Sequence, residues 1–188
     1  MTIEKKVSDS AFLAASVLRE NKVVILPTDT IYGFSGIVPD SLPSLIRIKG
    51  RDEGKPFIQL ISDPDDLKRY TTDAIHPALL ALWPGAITII VRNRDGGTTA
   101  FRCPGDAWLR QVIRATGSPV YSTSVNLAGE PALKTISEIL ETFGDKADLI
   151  VCDGNQGSGT ASTIVDATRE PYRIVRQGAL TVPDVCLR

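Results

Sequence analysis

Side chains that can bind a polar ligand follow a buried strand near the start of this sequence. The stretch VVIL at residues 23–26 is apolar and rich in β-branched residues, which is typical of a buried strand. The segment PTDTIY at residues 27–32 follows it directly and carries two threonine hydroxyls, a carboxylate and a phenol. Because open α/β sheets bind ligands where their strands end, this arrangement indicates a polar binding site.

Two further segments repeat this arrangement. A strand pattern at residues 119–121 continues into STSVN at residues 122–126, and a loop over residues 157–161 leads to Ser162 and Thr163. The alternative is that these polar residues only cap helices or form turns, and for any one segment that interpretation is the stronger. Because three strand ends share the same chemistry and cations lie nearby, the sequence favours one ligand site.

Cations are concentrated in the segment KGRDEGKPF, residues 49–57. Lys49, Arg51 and Lys55 are separated by glycines, and residues 47–55 carry four cations against two anions. Such groups can converge on phosphate oxygens, with arginine as a two-pronged donor and lysine as a point charge. A solvated surface loop has the same composition, so this segment alone leaves both interpretations open.

Two more arginines lie inside apolar strand patterns, Arg102 in TTAFRCP and Arg176 in RIVRQGAL. A strand arginine either faces solvent or is buried beside an anion, because burial of an unpaired charge is too unfavourable to persist. Strand alternation places Phe101 and Cys103 on the face opposite Arg102. The spacing does not choose between the solvent-facing and the anion-paired interpretation.

Several common catalytic patterns are missing from the sequence. It has neither a GxxxxGK[ST] phosphate loop nor a GxGxxG turn after a strand, and its single histidine, His76, precedes a proline. Cys103, Cys152 and Cys186 have no CxxC spacing, so no disulfide framework and no metal site are predicted. A polyanion site of Lys, Arg and hydroxyls remains. It suits nucleotidyl transfer, because positioning and charge stabilisation dominate that reaction.

Length and charge limit the possibilities further. The 188 residues suffice for one domain with a real core, so we expect a single domain over residues 1–188. The net charge of −1 provides no global attraction to nucleic acid or to an anionic membrane. The polar start MTIEKKVSDS has no signal-peptide pattern, and no apolar stretch is long enough to cross a bilayer. We therefore expect a cytoplasmic protein without membrane contact.

Helix and strand patterns alternate along the chain and predict an α/β fold with a twisted, mixed and mostly parallel sheet. Helices are predicted at residues 11–21, after a cap at Asp40 or Ser41, at residues 73–83, at residues 106–116, and after a capping box of Thr135 and Glu138. Strands are predicted at residues 22–26, 56–62, 86–93, 98–103, 119–126, 148–152, 162–167 and 172–176.

Taken in order, the segments PTDTIYGF, KGRDEGKPF, WPGAIT, FRCP, STSVN, STIVD and IVRQGAL resemble the YrdC/Sua5 family of threonylcarbamoyl-AMP synthases. The resemblance spans roughly residues 8–180, and the chain is similar to the short, single-domain form of the family. The resemblance implies a twisted, mostly parallel sheet with flanking helices and a concave face that holds ligands.

The resemblance also implies a reaction. L-threonine, bicarbonate or CO2, and ATP would give threonylcarbamoyl-AMP and pyrophosphate. A separate threonylcarbamoyl transferase system would then modify tRNA to carry t6A. ATP would enter as a substrate together with Mg²⁺, held by its phosphates rather than by a protein cage, and no organic cofactor is expected. Cations are required because the carbamate of threonine and the α-phosphate of ATP repel each other.

Residue roles follow from the same resemblance. Lys49 and Arg51 would be the catalytic residues that hold phosphates, and Arg102 would pair with the threonine carboxylate. The residues expected to bind ATP are Lys49, Arg51, Lys55, Thr98, Ser124, Asn126 and Arg176. The residues expected to bind threonine are Thr28, Tyr32, Arg102, Ser124 and Ser162.

Two positions depart from the family pattern and leave other functions open. Phe34 stands where the family usually has leucine, and Val125 stands where it usually has alanine. The alternatives are a paralogue with altered activity and a module that binds tRNA or double-stranded RNA. Residues 92–114 carry five arginines against two aspartates, which is enough for a local basic patch. A relative that uses carbamoyl phosphate is disfavoured, because no acylphosphatase or zinc-finger segment is attached.

Overall fold

The computed structural model describes residues 1–50, 56–155 and 159–187. Within these ranges the chain forms ten strands and five α-helices. The strands are β1 (Thr2–Glu4), β2 (Val24–Leu26), β3 (Gly33–Ile37), β4 (Ile58–Leu60), β5 (Ile87–Arg92), β6 (Thr98–Arg102), β7 (Val120–Ser124), β8 (Leu149–Cys152), β9 (Thr163–Asp166) and β10 (Arg173–Arg176). The helices are α1 (Ser10–Arg19), α2 (Leu42–Lys49), α3 (Pro77–Leu80), α4 (Ala107–Thr116) and α5 (Ile136–Phe143), with 3-10 turns at Pro64–Arg69 and Asp184–Cys186.

The ten strands belong to one mixed sheet with the order β1-β8-β2-β3-β7-β4-β6-β5-β9-β10. Four neighbouring pairs are parallel and five are antiparallel. The α/β class and the mixed sheet are confirmed, whereas the expectation of a mostly parallel sheet is wrong. The connections from β2 to β3, from β5 to β6 and from β9 to β10 are too short for a crossover, so these pairs are antiparallel.

Helices cover both faces of the β8-β2-β3-β7 half of the sheet. Along β2, Val24 and Leu26 pack with α1 and α4 on one face, while Ile25 packs with α2 and α5 on the other. β8 repeats this alternation, with Leu149 on the first face and Ile150 on the second. Burial on both faces explains why these strands read as continuous apolar runs.

The other half of the sheet has one apolar face and one polar face. Ile89 of β5 and Phe101 of β6 are paired in register and are buried in a core with α3 and the C-terminal residues. Their neighbours Thr88 and Arg102 therefore point to the opposite face. Arg176 of β10 lies in the same register row as Thr88, across β9. This polar face forms one wall of the candidate site.

Side-chain caps are present at the start of α4 and α5, whereas Ser41, the N-cap residue of α2, makes no side-chain capping hydrogen bond. Asp106 caps α4, and Thr135 with Glu138 forms the expected capping box of α5. The predicted helix over residues 73–83 is wrong in length, because only α3 is helical. Pro77 has no N–H and fits only the first turn, so the helix cannot extend across it from the residues before. Among the described residues, no helix has both the length and the apolar character that a bilayer span requires.

Two strands, β1 and β3, are missing from the sequence prediction. β3 reads GFSGI, and its two glycines lower its strand propensity. It nevertheless lies between β2 and β7 and pairs with both strands. At its first position, a Cβ on Gly33 would lie 2.8 Å from Ser122 Oγ on β7, so any larger residue would displace that hydroxyl.

Candidate functional site

One cavity of about 200 Å³ collects polar side chains from both halves of the sheet. The predicted site residues that line it are Thr28, Tyr32, Arg102, Ser124, Ser162 and Arg176. The three hydroxyl-bearing strand ends therefore meet in one place, together with both strand arginines. The ligand that each of these residues binds stays a prediction.

Arg102 is the buried cation of this cavity. It is 5 % exposed, and its guanidinium donates to Gly85 O at 3.1 Å, to Thr30 Oγ1 at 2.9 Å and to Asp29 Oδ1 at 2.5 Å. Of the two interpretations that the sequence left open, the anion-paired one is therefore correct. One N–H on each terminal nitrogen of Arg102 has no acceptor among the described residues. Two such donors match the two oxygens of a ligand carboxylate.

The segment PTDT builds this arrangement. Thr28 Oγ1 accepts hydrogen bonds from the N–H groups of Thr30 and Ile31, which closes a tight turn directly after β2. The turn carries Asp29 and Thr30 to the guanidinium of Arg102. Thr28 thus forms a turn, as the alternative interpretation predicts, and it also lines the cavity, while ligand binding by its hydroxyl stays a prediction.

Tyr32 forms another wall of the cavity. It is 1 % exposed, and its hydroxyl donates to Gly154 O at 2.7 Å and accepts from Asp153 N–H at 2.8 Å. These two bonds join the chain just before β3 to the loop just after β8. The phenol therefore positions two loops at the cavity rather than reaching into solvent.

Arg176 is the exposed cation of the cavity. It lies on the edge strand β10 and donates to Ser162 O at 2.8 Å and to Ser162 Oγ at 3.3 Å. Ser162 Oγ is in turn hydrogen-bonded to Thr88 Oγ1 at 2.7 Å. Partial burial lowers the pKa of Arg176, and the positive charge of Arg102 lowers this pKa further. Two like charges thus share one cavity, and an anionic ligand between them would relieve their repulsion.

Lys49 lies behind the cavity wall. It is the last residue of α2, it is 4 % exposed, and its ammonium donates to Ser124 O and to Asn126 Oδ1, both at 2.5 Å. Ser124 Oγ, on a residue that lines the cavity, also accepts from Lys49 at 3.2 Å. Ser124 Oγ itself donates to Asn126 Oδ1 at 2.6 Å. The predicted lysine, hydroxyl and amide therefore form one cluster at the end of β7.

Three expected site residues remain, Arg51, Lys55 and Thr98. Arg51 and Lys55 lie outside the described residues. Thr98 begins β6, four residues before Arg102, and is not among the residues that line the cavity. At about 3.4 Å per strand residue, four residues separate Thr98 from Arg102 by roughly 13 Å along the strand. Thr98 therefore does not line this cavity, and its expected contact with ATP stays a prediction.

Two residues to which the sequence interpretation assigned no role take part in the site. Thr88 supports Ser162, and alternation along the strand ITIIVR would have placed it opposite the apolar residues. Asp29 pairs with Arg102, which is 73 residues away in the chain. No local sequence pattern reports a contact over that separation.

Other reactive side chains do not enter the cavity wall. Cys103 is fully buried, and burial raises the pKa of its thiol to about 12, so it stays protonated at neutral pH. His76 caps α3 by accepting a hydrogen bond from Ala78 N–H. Within the described ranges, no three His, Cys, Asp or Glu side chains are grouped so that they could hold a metal ion. The arrangement is a cavity that combines two arginines with several hydroxyls.

Comparison with known proteins identifies the class that this fold and cavity represent. The family model for Sua5, YciO and YrdC proteins, which carries the description "Telomere recombination", matches residues 16–178. This match covers most of the chain, and the chain therefore belongs to the Sua5/YciO/YrdC family.

Individual relatives are similar over most of the chain. A protein named threonylcarbamoyl-AMP synthase from Bacillus subtilis is 30 % identical over 183 residues, which cover 89 % of this chain and 53 % of that relative. One of the same name from Klebsiella pneumoniae is 29 % identical over 185 residues, which cover 88 % of this chain and 96 % of that relative. The crystal structure of P. abyssi Sua5 complexed with L-threonine has a TM-score of 0.88 at 24 % identity, over 98 % of this chain and 59 % of that one. The chain thus spans about half the length of the Bacillus relative.

Proposed function

We propose that this chain makes threonylcarbamoyl-AMP and pyrophosphate from L-threonine, bicarbonate and ATP. The proposal depends above all on one observation, the presence of Arg102, Arg176 and several hydroxyls in one cavity of about 200 Å³. Lys49 adds a third cation directly behind Ser124 of that cavity. Relatives that carry the name of this activity support the proposal, as does the likeness in fold to a protein solved with L-threonine.

Arg102 would hold the carboxylate of threonine. Its two available N–H groups suit a bidentate carboxylate, and Asp29 and Thr30 hold the guanidinium in one orientation. The side chains of Thr28, Tyr32, Ser124 and Ser162 surround the same space. The enclosed volume of about 200 Å³ lies below the usual range for ligand pockets, so it suits an amino acid, while ATP would extend beyond it.

The remaining cations would act on the phosphates. A carbamate oxygen of carboxylated threonine would attack the α-phosphorus of ATP, and the bond from that phosphorus to pyrophosphate would break. Lys49, Arg51 and Lys55 would hold phosphate oxygens, with Ser124 and Asn126 between the two substrates and Arg176 at the adenylate end. Because the Lys49 ammonium already donates to Ser124 and Asn126, it would exchange at least one of these acceptors for a phosphate oxygen.

The proposal also covers the metal ion, the partner proteins and the domain organisation. Mg²⁺ would enter bound to the phosphates of ATP, and no organic cofactor takes part. The product would pass to a threonylcarbamoyl transferase system in the cytoplasm, with tRNA as the final acceptor. Residues 1–188 would act as a single domain, because both halves of the sheet contribute to the cavity.

An RNA-binding module is less well supported. In the predicted basic patch of residues 92–114, Arg102 is buried and neutralised, and Arg92 forms a 2.8 Å ion pair with Asp73. Arg94 donates to the backbone of the 3-10 turn before it at 2.7 Å. Ion pairs thus compensate two of the five arginines, so the surface offers less positive charge to RNA than the sequence predicts.

Pyrophosphate release tests the proposed function. The chain is mixed with MgATP, bicarbonate and L-threonine, and release is compared with reactions that lack threonine or bicarbonate. We expect release that requires both, together with an AMP adduct of the mass of threonylcarbamoyl-AMP. Release that ignores threonine would refute the assignment, and tight, salt-dependent RNA binding without any adduct would favour the RNA-binding alternative.

A further inference from the structure

The carboxylate of Asp29 links the buried Arg102 to the backbone N–H of Gly105. Asp29 Oδ1 accepts from Arg102 at 2.5 Å, and Asp29 Oδ2 accepts from Gly105 N–H at 2.8 Å. Both carboxylate oxygens are therefore used. Because each oxygen has a different donor, the carboxylate is fixed in rotation as well as in position.

The position of Arg102 is determined mainly by this contact and two weaker ones. Gly85 O and Thr30 Oγ1 accept its other two hydrogen bonds, and neither acceptor is charged. The positive charge of Arg176 acts on the same cavity from the opposite side. Without Asp29, Arg102 would face a like charge while nine-tenths buried, which favours rotation of its guanidinium toward solvent.

Asp29 is itself connected to Tyr32, another residue of the cavity wall, by a chain of contacts. Its donor Gly105 precedes Asp106, the capping residue of α4, which forms a 2.6 Å ion pair with Lys5. Lys5 also pairs with Asp153 at 2.8 Å, and Asp153 N–H donates to the Tyr32 hydroxyl. The contacts thus run from Arg102 on one wall to Tyr32 on another. A residue anchored in this way is suited to hold a ligand-binding group in place.

We propose that Asp29 is a positioning residue for carboxylate recognition by Arg102, a role that rests on the proposed function. Asp29 touches no substrate in this proposal. It holds Arg102 so that one N–H of each terminal nitrogen is available to the carboxylate of threonine. The alternative is that Asp29 only neutralises charge. The two roles predict opposite changes in KM for L-threonine when Asp29 is replaced. Removal of a residue that only neutralises charge would strengthen the binding of an anion and lower KM, whereas loss of a positioning residue would raise it.

Asp29→Asn tests the proposal, with Asp73→Asn as its matched control. Asp73 accepts from the Arg92 guanidinium at 3.0 Å and from the Arg92 backbone N–H at 2.9 Å, so it repeats the geometry of Asp29 at a surface outside the cavity. Loss of a charge-assisted hydrogen bond should raise KM for L-threonine by about tenfold in Asp29→Asn. KM for ATP should change by less than about twofold, and Asp73→Asn should leave both constants unchanged. A lower KM for threonine in Asp29→Asn, or no change, would overturn the proposal.

A second readout separates this proposal from the proposed function. The Nε–Hε signal of Arg102 in ¹⁵N NMR reports the order of its guanidinium without any substrate. We expect slow Hε exchange in the wild type and exchange at least about tenfold faster in Asp29→Asn, with Arg92 as the exposed reference. If the wild type shows no threonine-dependent pyrophosphate release, the proposed function is refuted. Faster Hε exchange in Asp29→Asn would in that case still support the positioning of Arg102 by Asp29. If the wild type is active and Hε exchange is the same in Asp29→Asn, the proposed function is retained and the positioning role is refuted.

Gly105→Ala provides an independent variant if Asp29→Asn does not fold. A Cβ on Gly105 would lie 3.0 Å from Asp29 Oδ2, so it displaces the carboxylate while it keeps the charge. A positioning role predicts a higher KM for threonine in this variant, by a factor of about three, with kcat for ATP turnover retained. An unchanged KM for threonine would contradict the proposal, since the charge of Asp29 is still present.

Discussion

The two arginines of the cavity are held in opposite ways. Arg102 lies on an inner strand, is 5 % exposed, and is compensated by the carboxylate of Asp29. Arg176 lies on the edge strand β10, is exposed, and donates to the backbone oxygen and hydroxyl of Ser162. One cation is positioned before a ligand arrives, whereas the other keeps much of its freedom.

This difference indicates a division of roles. A side chain that is already ordered loses little conformational entropy on binding, so it can discriminate between ligands by geometry. An exposed side chain must be ordered by the ligand, and solvent weakens its charge. We therefore expect Arg102 to govern recognition of the amino acid, and Arg176 to add affinity for the nucleotide.

The largest effect is expected from Arg102→Gln. Loss of the positioned guanidinium should lower kcat/KM for threonine by about 10² or more, measured as pyrophosphate release. The change also leaves Asp29 without its ion-pair partner, which should destabilise the fold by about 2 kcal/mol, because Asp29 is only partly buried. Arg92→Gln, at an exposed ion pair, is the control and should change both quantities little. Equal behaviour of the two variants would remove the distinction between buried and exposed arginines.

Lys49→Met should have the next largest effect. The substitution keeps the apolar stem but removes the ammonium that would exchange from Ser124 and Asn126 to a phosphate. We expect kcat to fall at least about tenfold, because charge-stabilising donors contribute that much or more. Lys22→Met, which removes an ammonium from a surface pair with Glu20, is the matched control. Normal turnover by Lys49→Met would exclude Lys49 from catalysis.

A smaller effect is expected from Arg176→Gln. An exposed cation contributes about 1 kcal/mol, so KM for ATP should rise by roughly fivefold while KM for threonine stays nearly constant. Arg173→Gln on the same strand, whose register partner is Asp166 rather than Ile164, should behave as the wild type. An effect of Arg176→Gln as large as that of Arg102→Gln would contradict the proposed division of roles.

The smallest effect is expected from Lys5→Met, which breaks the contact chain behind Asp29. We expect KM for threonine to rise about twofold, since the contact acts through Asp106 and Gly105 rather than directly. Burial lowers the pKa of Lys5, but hydrogen bonds to Asp106 and Asp153 outweigh burial and raise the pKa above its usual value. A raised pKa keeps the ammonium charged throughout the neutral range, and its contribution is lost only as pH rises through that pKa. The ratio of KM for threonine between Lys5→Met and the wild type should therefore be constant from about pH 6 to pH 9.

Local sequence patterns predicted helices and strands well where the stabilising interaction is between residues close together in the sequence. The capping box of Thr135 and Glu138 depends on neighbours three residues apart, and the structure confirms it. The prediction failed at β3, where the low strand propensity of glycine is outweighed by pairing with β2 and β7. It failed again for residues 73–83, where apolar residues continue on both sides of Pro77, the residue at which the helix begins.

In the candidate site, too, the sequence predicted local features but not contacts between distant residues. The types and order of Thr28, Lys49, Ser124 and Ser162 were available from the sequence, since each belongs to a motif of adjacent residues. The partner of Arg102 was not, because two interpretations of a strand arginine were equally consistent with its spacing.

The sequence by itself determined the chemistry of this protein: hydroxyls at strand ends, cations near glycines and the family to which the chain belongs. Only the tertiary structure decided which cation is buried, which carboxylate pairs with it and which residues share the cavity. Periodicity reports the face of a strand on which a side chain lies, since it depends on bonds a few residues apart. The pairing of Asp29 with Arg102 depends on how β2 and β6 are placed in the sheet, across 73 residues of chain.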